Sequence, residues 1–164
     1  MDAADEIAEL DSDGTRNTTL RPFTFRPILD EMKGNRGITK LAKSDLVTAV
    51  VQTIRTGGEQ ELHSHAGSDA IYFVLSGHVK FRGLNDMVAN LGPHEGIFVP
   101  RGTPYCFEIT GGQPAEILQI GAADKAVQNK FVLHGKSMGK PIDFEVFADD
   151  GKHLGDLHFD PKKK

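Results

Sequence analysis

The chain has 164 residues, with 18 glycines, a single cysteine and a net charge of -4 at pH 7. That length corresponds to one domain and is enough to bury a core without staples. The acidic balance argues against nucleic acid or an anionic membrane as the main partner, because phosphate binding needs clustered positive charge, and the lone Cys106 excludes an intrachain disulfide and a cysteine-built zinc site.

In chain order, residues 1–16 read as a flexible acidic arm: Asp2, Asp5, Glu6, Glu9, Asp11 and Asp13 precede the first basic residue, Arg16. A secretory signal needs the opposite start. The longest aliphatic-aromatic run, Ile71 to Leu75, is far short of the ~18–20 residues of a spanning helix. With one cysteine and a reducing compartment as the simple reading, cytoplasm is the expected location. Residues 17–160 are expected to form one domain, with 161–164 as a tail.

Beyond the arm the patterning is mostly of period two, which predicts strands. Thr19 to Arg26 fits a strand, held to an edge or bulge by Pro22. Pro27 to Lys33 fits a short helix. Leu46 to Thr56 is a long β-branched run closed by Gly57 and Gly58. Strands are predicted at Ile71–Leu75, Val79–Phe81, Met87–Leu91, Ile97–Val99, Tyr105–Ile109 and Ala115–Ile120, with hairpin signals at Gly83–Asp86 and Thr110–Gly112. A second short helix is expected over Ala122–Lys130. Ile142–Phe147 alternates as a strand, and Lys152–Phe159 is ambiguous. Short strands separated by Gly, Pro and Asn turns suggest a sandwich or barrel, and the absence of an internal repeat favours a single one.

The stretch that carries chemistry is Gly57-Gly58-Glu59-Gln60-Glu61-Leu62-His63-Ser64-His65. Histidines at i and i+2 of a strand share a face, so both imidazoles can reach one point, and imidazole suits Fe, Zn, Ni, Cu and Mn. By itself H-x-H equally describes two surface histidines.

Two motifs resemble the cupin superfamily over about residues 46–121. The first, G-(x)5-H-x-H-(x)3–4-E-(x)6-G, matches at Gly57, His63, His65 and Gly77. The second, G-(x)5-P-x-G-(x)2-H-(x)3-N, matches at Pro100 and Gly102. The resemblance implies an all-β cupin-type barrel (jelly roll) with short helical or extended terminal segments, of the small single-domain microbial kind with a degenerate ligand set. It also implies a homodimer, since an opened barrel leaves edge strands. The departures are specific: the family's Glu falls on Ala70, with Asp69 one place early; its last His falls on Tyr105, its Asn on Ile109 and the first Gly of the second motif on His94.

A metal-ligand set of His63, His65 and Tyr105 is what the resemblance implies, with Asp69 added only if a bulge turns it inward. A phenol with an ordinary pKa near 10 is held ionised at pH 7 only by a strong Lewis acid, which favours iron over Zn, Ni or Mn. Alternation extends a substrate pocket to Glu61, Ala70, Tyr72, Val74 and Phe107, with Arg101 at the mouth as a clamp for a carboxylate. The expected function is a metal-dependent enzyme on a small organic molecule, a dioxygenase ahead of an isomerase or lyase. The rivals are a metal-free acid/base enzyme using His63 and Tyr105, and a non-catalytic binding module. Cys106 is expected to point out of the barrel in a packing role. His78, His94, His134, His153 and His158 are expected to be structural or solvated.

Overall fold

The computed structural model describes residues 20–56, 60–124, 126–127, 131–133 and 142–160. It contains β-strands and, among the described residues, no α-helix. The twelve strands in chain order are β1 Arg36–Lys43, β2 Val47–Ile54, β3 Gln60–His65, β4 Ser68–Ser76, β5 His78–Gly83, β6 Val88–Leu91, β7 Gly96–Val99, β8 Tyr105–Thr110, β9 Ala115–Ala123, β10 Phe131–Leu133, β11 Ile142–Phe147 and β12 His153–Phe159. They form a seven-stranded sheet in the order β12-β11-β1-β2-β9-β4-β7 and a five-stranded sheet in the order β10-β3-β8-β5-β6. Every pairing is antiparallel except β1 with β11. Rings from both sheets meet between them, Tyr72 of β4 lying 5.4 Å from Phe81 of β5 and 6.1 Å from Phe107 of β8. The result is an all-β jelly-roll sandwich, within the sandwich-or-barrel class that the strand rhythm predicts and as the resemblance implies.

Register decides which side chains face inward. Cα partners across β2, β9 and β4 align Val50 with Gln119 and Tyr72, and Gln52 with Ile117 and Val74. Directly paired residues share a face, so this row is interior, and Ile54, Tyr72, Val74, Ala115 and Ile117 are all fully buried on it. Across the other sheet the core is completed by Val79, Phe81, Tyr105 and Phe107.

The turns are held by backbone conformations their residues suit. Asn85 and Asp86 both take left-handed φ, 57° and 59°, which is the two-residue hairpin geometry that fits strand twist. At the β4–β5 junction Gly77 has φ +78°, and a Cβ there would stand 2.5 Å from the carbonyl oxygen of Pro114. His94 has φ +70°. It stands where the motif carries glycine, and it takes a left-handed conformation that glycine adopts at no steric cost.

Three expectations are corrected. Residues 20–26 form no strand; Pro22 removes one ladder donor, and the Arg26 N–H bonds the Asp149 carbonyl at 3.1 Å. Pro27 to Lys33 makes one turn, with Glu31 and Met32 N–H both bonded to Ile28 O, because a segment this short cannot repay helix nucleation. It is tied down instead by the Arg55 guanidinium, which donates to the carbonyls of Leu29 and Gly34 at 2.7 Å each. Ala122 and Ala123 end β9 rather than opening a helix; residues 125 and 128–130 of that expected helix lie outside the described residues. So do the arm 1–16, the tail 161–164, Gly57 and His134. The ambiguous stretch Lys152–Phe159 forms β12, paired with β11. No helix among the described residues is long and apolar enough to cross a membrane.

Candidate active site

Strand β3 brings both histidines against β8. His63 is the Cα partner of Tyr105, and on its other side His63 and His65 pair with Leu133 and Phe131 of β10. The His63 and His65 rings stand edge to face with centroids 5.0 Å apart. The Tyr105 ring lies 4.5 Å from His63 and 6.2 Å from His65. From the opposite sheet the Tyr72 hydroxyl reaches the Tyr105 hydroxyl at 2.5 Å. His63, Tyr72 and Tyr105 are buried and His65 is half-buried. Phe81 and Phe107, with centroids 5.1 Å apart, wall the cluster. A wall of rings around a few converging polar groups is the usual make-up of a small-molecule site.

The His63 tautomer is fixed by its partner. Its Nδ1 lies 2.7 Å from the Glu61 carbonyl oxygen. A carbonyl only accepts, so Nδ1 carries a proton, and in the neutral ring the lone pair is on Nε2. That is the form in which a histidine ligates metal or acts as a base.

The other expected site residues sort by strand parity. Ala70, Val74 and Phe107 share the interior with Tyr72 and Tyr105. Glu61 is half-buried, and a bulge between Gln60 and His63 breaks the simple alternation that was to carry its side chain inward. Asp69 is on the opposite face of β4 from Ala70, and no bulge turns it: the β4–β9 register runs unbroken from Ser68 to Val74. Its Oδ1 instead accepts the Arg101 N–H at 2.8 Å. Together with the Gly102 N–H, which donates to His65 O at 2.7 Å, this ties the Pro-x-Gly loop of the second motif to the histidine strand of the first. The Arg101 guanidinium pairs with Asp124 at the surface. The Ala126 amide first, and Arg101 second, hold the Asp124 carboxyl below its ordinary range. Arg101 is thus engaged by an acid outside the barrel rather than poised as a substrate clamp.

Whether these residues suit a metal ion is answered by the donor set. Two imidazoles and a phenol fit a transition ion such as iron, zinc or nickel. They do not fit a hard cation that needs several carboxylate oxygens. Among the described residues the three-member cluster of His, Cys, Asp or Glu donors lies elsewhere: Glu145, His153 and Asp156 have ligand atoms within 4.8 Å of one another. Glu145 stands across from Gly37, on the outer face of the large sheet. Its carboxylate accepts the Lys33 N–H at 2.9 Å and the Gly34 N–H at 2.7 Å. His153 and Asp156 form an exposed pair at 2.9 Å, and His158 forms another with Asp143 at 2.6 Å.

Sequence reasoning passed over three polar residues of the interior. Arg36, at the start of β1, is buried, and its Nη2 donates to Gln52 Oε1; Gln52 Nε2 donates in turn to Gln119 Oε1. A signal was present in β2, where Gln52 interrupts the otherwise apolar row Val50, Ile54.

This geometry defines the class: a jelly-roll barrel with a histidine-bearing interior. Residues 50–121 match the family model of the cupin domain. Solved structures agree in fold. A double-stranded β-helix protein from Klebsiella pneumoniae is 20% identical, with TM-score 0.56 over 72% of this chain and 100% of that one. A cupin superfamily protein from Desulfitobacterium hafniense is 21% identical, with TM-score 0.51 over 63% and 94%. The cupin domain of Schizosaccharomyces pombe Cnp3 is 18% identical, with TM-score 0.51 over 57% and 72%. No curated protein matches the chain. The match over these residues supports a small-molecule-binding or enzymatic function of the cupin type.

Proposed function

We propose that the chain is an enzyme acting on a small organic molecule inside the barrel, with His63 and His65 holding a transition-metal ion and Tyr105 handling a proton. The observation that carries this is the convergence of two imidazoles on a buried phenol pair, His63 lying 4.5 Å and His65 6.2 Å from the Tyr105 ring. The Glu61 carbonyl holds the His63 ring through its Nδ1, so Nε2 is the nitrogen that would ligate the ion. Tyr105, bonded to Tyr72, can give a proton to substrate and draw on the second hydroxyl, as general acid catalysis requires. Phe81, Phe107 and Val74 keep bulk water from the polar cluster. A bound ion would supply Lewis acidity and, if iron, the redox chemistry of a dioxygenase, the subtype we favour because two imidazoles leave coordination positions for substrate.

A metal-free acid/base enzyme, with His63 as base and Tyr105 as acid, is the second reading. It is favoured by Ala70 standing where the family places its Glu. Elemental analysis of freshly purified protein, with an anaerobic sample beside it, separates the two. Metal in the wild type that is lost in His63→Ala and His65→Ala supports the first; the same trace metal in all three proteins sinks it.

A homodimer belongs to the proposal. On the outer face of the large sheet Ile71 and Phe98 are cross-strand partners, exposed by 47% and 59%, and a second copy seated there would cover them. Light scattering should give about twice the monomer mass.

A further inference from the structure

We propose that the outer face of the large sheet carries a second site, a cleft built on Glu116 that takes the ammonium head of a small organic amine. It lies on the other side of that sheet from the barrel interior and does not depend on the function proposed for His63 and His65.

The cleft forms where three polar residues line up across the sheet. Glu116 of β9 is the Cα partner of Thr53 on β2 and of Ser76 on β4. Gln52, Ile117 and Val74 form the interior row, so Thr53 and Glu116 face outward by alternation. A register shift between Val74 and Ser76 brings Ser76 beside Glu116. The segment that starts at Pro27 and the hairpin at Gln113 flank this row, leaving a cleft of about 360 Å³ lined by Leu29, Asp30, Thr53, Ser76, Pro114 and Glu116. Its wall is fixed in place. Arg55, two residues past Thr53, spends its guanidinium on the carbonyls of Leu29, Met32 and Gly34, and Ile28 and Met32 pack onto Gly37.

The polar groups on the cleft floor are only partly matched. Ser76 Oγ donates to Glu116 Oε1 at 2.7 Å. The other carboxylate oxygen, Oε2, is screened from solvent and has no hydrogen-bond partner among the described residues; the same holds for the hydroxyl of Thr53, which is fully buried. Buried oxygens of this kind are costly without a donor. Asp30, exposed at the rim, adds a second carboxylate, and among the described residues lining the cleft there is no lysine or arginine. The complement of this floor is a positively charged donor. An ammonium group offers three N–H bonds and accepts none, against acceptors on Glu116, Thr53 and Asp30. A hard metal ion fits less well. It needs six or more oxygens, whereas Pro27, Leu29 and Pro114 offer apolar wall that only a hydrocarbon body uses.

The test follows the backbone amide resonances of the 15N-labelled full chain at pH 7 during titration with hexylammonium, with 1-hexanol and with hexyltrimethylammonium. Hexylammonium should give saturable shifts at Thr53, Ser76 and Glu116. The alcohol, which lacks the charge, and the quaternary ion, which lacks the N–H groups, should each bind at least about tenfold more weakly, since charge-assisted hydrogen bonds are lost. Glu116→Gln keeps the side-chain shape and should lower the amine affinity at least about tenfold and erase its preference over the alcohol. Thr53→Val, which keeps the volume and removes the hydroxyl, should lower it about threefold or more and serves as the variant if Glu116→Gln does not fold. His63→Ala should bind the amine as the wild type does. Equal affinity for amine and alcohol, no saturable shift at these amides, or undiminished amine affinity in Glu116→Gln overturns the proposal. So does a loss of amine binding in His63→Ala, which would place the amine in the barrel, or Ca(II) producing the same shifts at lower concentration than the amine.

Discussion

Tyr72 and Tyr105 join the two sheets by a hydrogen bond between their hydroxyls, from β4 of one sheet to β8 of the other. Both are buried, so each hydroxyl would be costly to strand. Removing one hydroxyl, in Tyr72→Phe or Tyr105→Phe, should cost about 1–2 kcal/mol in urea unfolding, because the other is left without this partner. Removing both should cost less than the sum, giving a coupling energy of about 0.5 kcal/mol or more. Strict additivity would mean that the hydroxyls do not pair in solution.

Asp69 holds the loop of the second motif through the Arg101 amide. Asp69→Ala should lower stability by about 1–2 kcal/mol, the low end for a hydrogen bond to a charged group because this one is exposed. It should leave the metal content of the purified protein as it was. Metal loss on a par with His63→Ala would mean that Asp69 reaches the histidines.

Two left-handed positions make opposite predictions. Gly77→Ala forces a side chain into φ +78° and against Pro114 and Ala115 backbone, and should cost about 2 kcal/mol or more. His94→Gly relieves a non-glycine residue at φ +70° and should be neutral or stabilising by up to about 1 kcal/mol. Thermal unfolding of the pair checks both signs, and a stabilising Gly77→Ala would contradict the turn geometry.

Cys106 is the neighbour of Tyr105 on the opposite side of β8, half-buried. Burial, ahead of the lowering effect of Arg82 and the raising effect of Glu108, pushes its thiol up from the ordinary value. A raised pKa keeps the neutral thiol to higher pH, and only the thiolate is nucleophilic. Alkylation by iodoacetamide at pH 7 should therefore be slower than for a free cysteine, and its onset should move to higher pH. A rate at pH 7 equal to that of a model thiol would contradict this burial.

The strands that were legible are those whose ends carry their own turn chemistry. Asn85 and Asp86, Gly111 and Gly112, and Pro100 mark boundaries locally, and β2 and β4 to β9 fall where alternation and these residues agree. Strand β1 was not legible because its cause is tertiary. Gly34, Asn35 and Gly37 are residue types depleted in strands, yet Gly37 is the glycine over which Ile28 and Met32 pack, with a Cβ there only 2.6 Å and 2.7 Å from their side chains. Pairing with β2 and β11 then makes the strand. The same blindness hid Arg36, whose buried position depends on that pairing. Among the candidate site residues, the i, i+2 spacing foretold that His63 and His65 lie side by side. The placement of Asp69 away from them is a matter of parity in the β4 register, which runs unbroken from Ser68 to Val74, whereas the bulge before His63, which upsets the alternation for Glu61, leaves no mark in the sequence.

Calorimetric titration of metal-stripped protein with Zn(II) or Ni(II) decides whether His63 and His65 form a metal-binding pair facing Tyr105. The account predicts saturable binding to the wild type and a loss of at least about tenfold in His63→Ala and in His65→Ala, as for a removed ligand. Tyr105→His should bind more tightly than the wild type, since an added neutral imidazole needs no deprotonation at pH 7 whereas a phenol of pKa near 10 does. Adding Ala70→Glu, on the same interior face, should raise the affinity again by restoring a carboxylate. Equal affinities across the wild type and all these variants would contradict the account, showing that the metal, if any binds, does not sit between these strands.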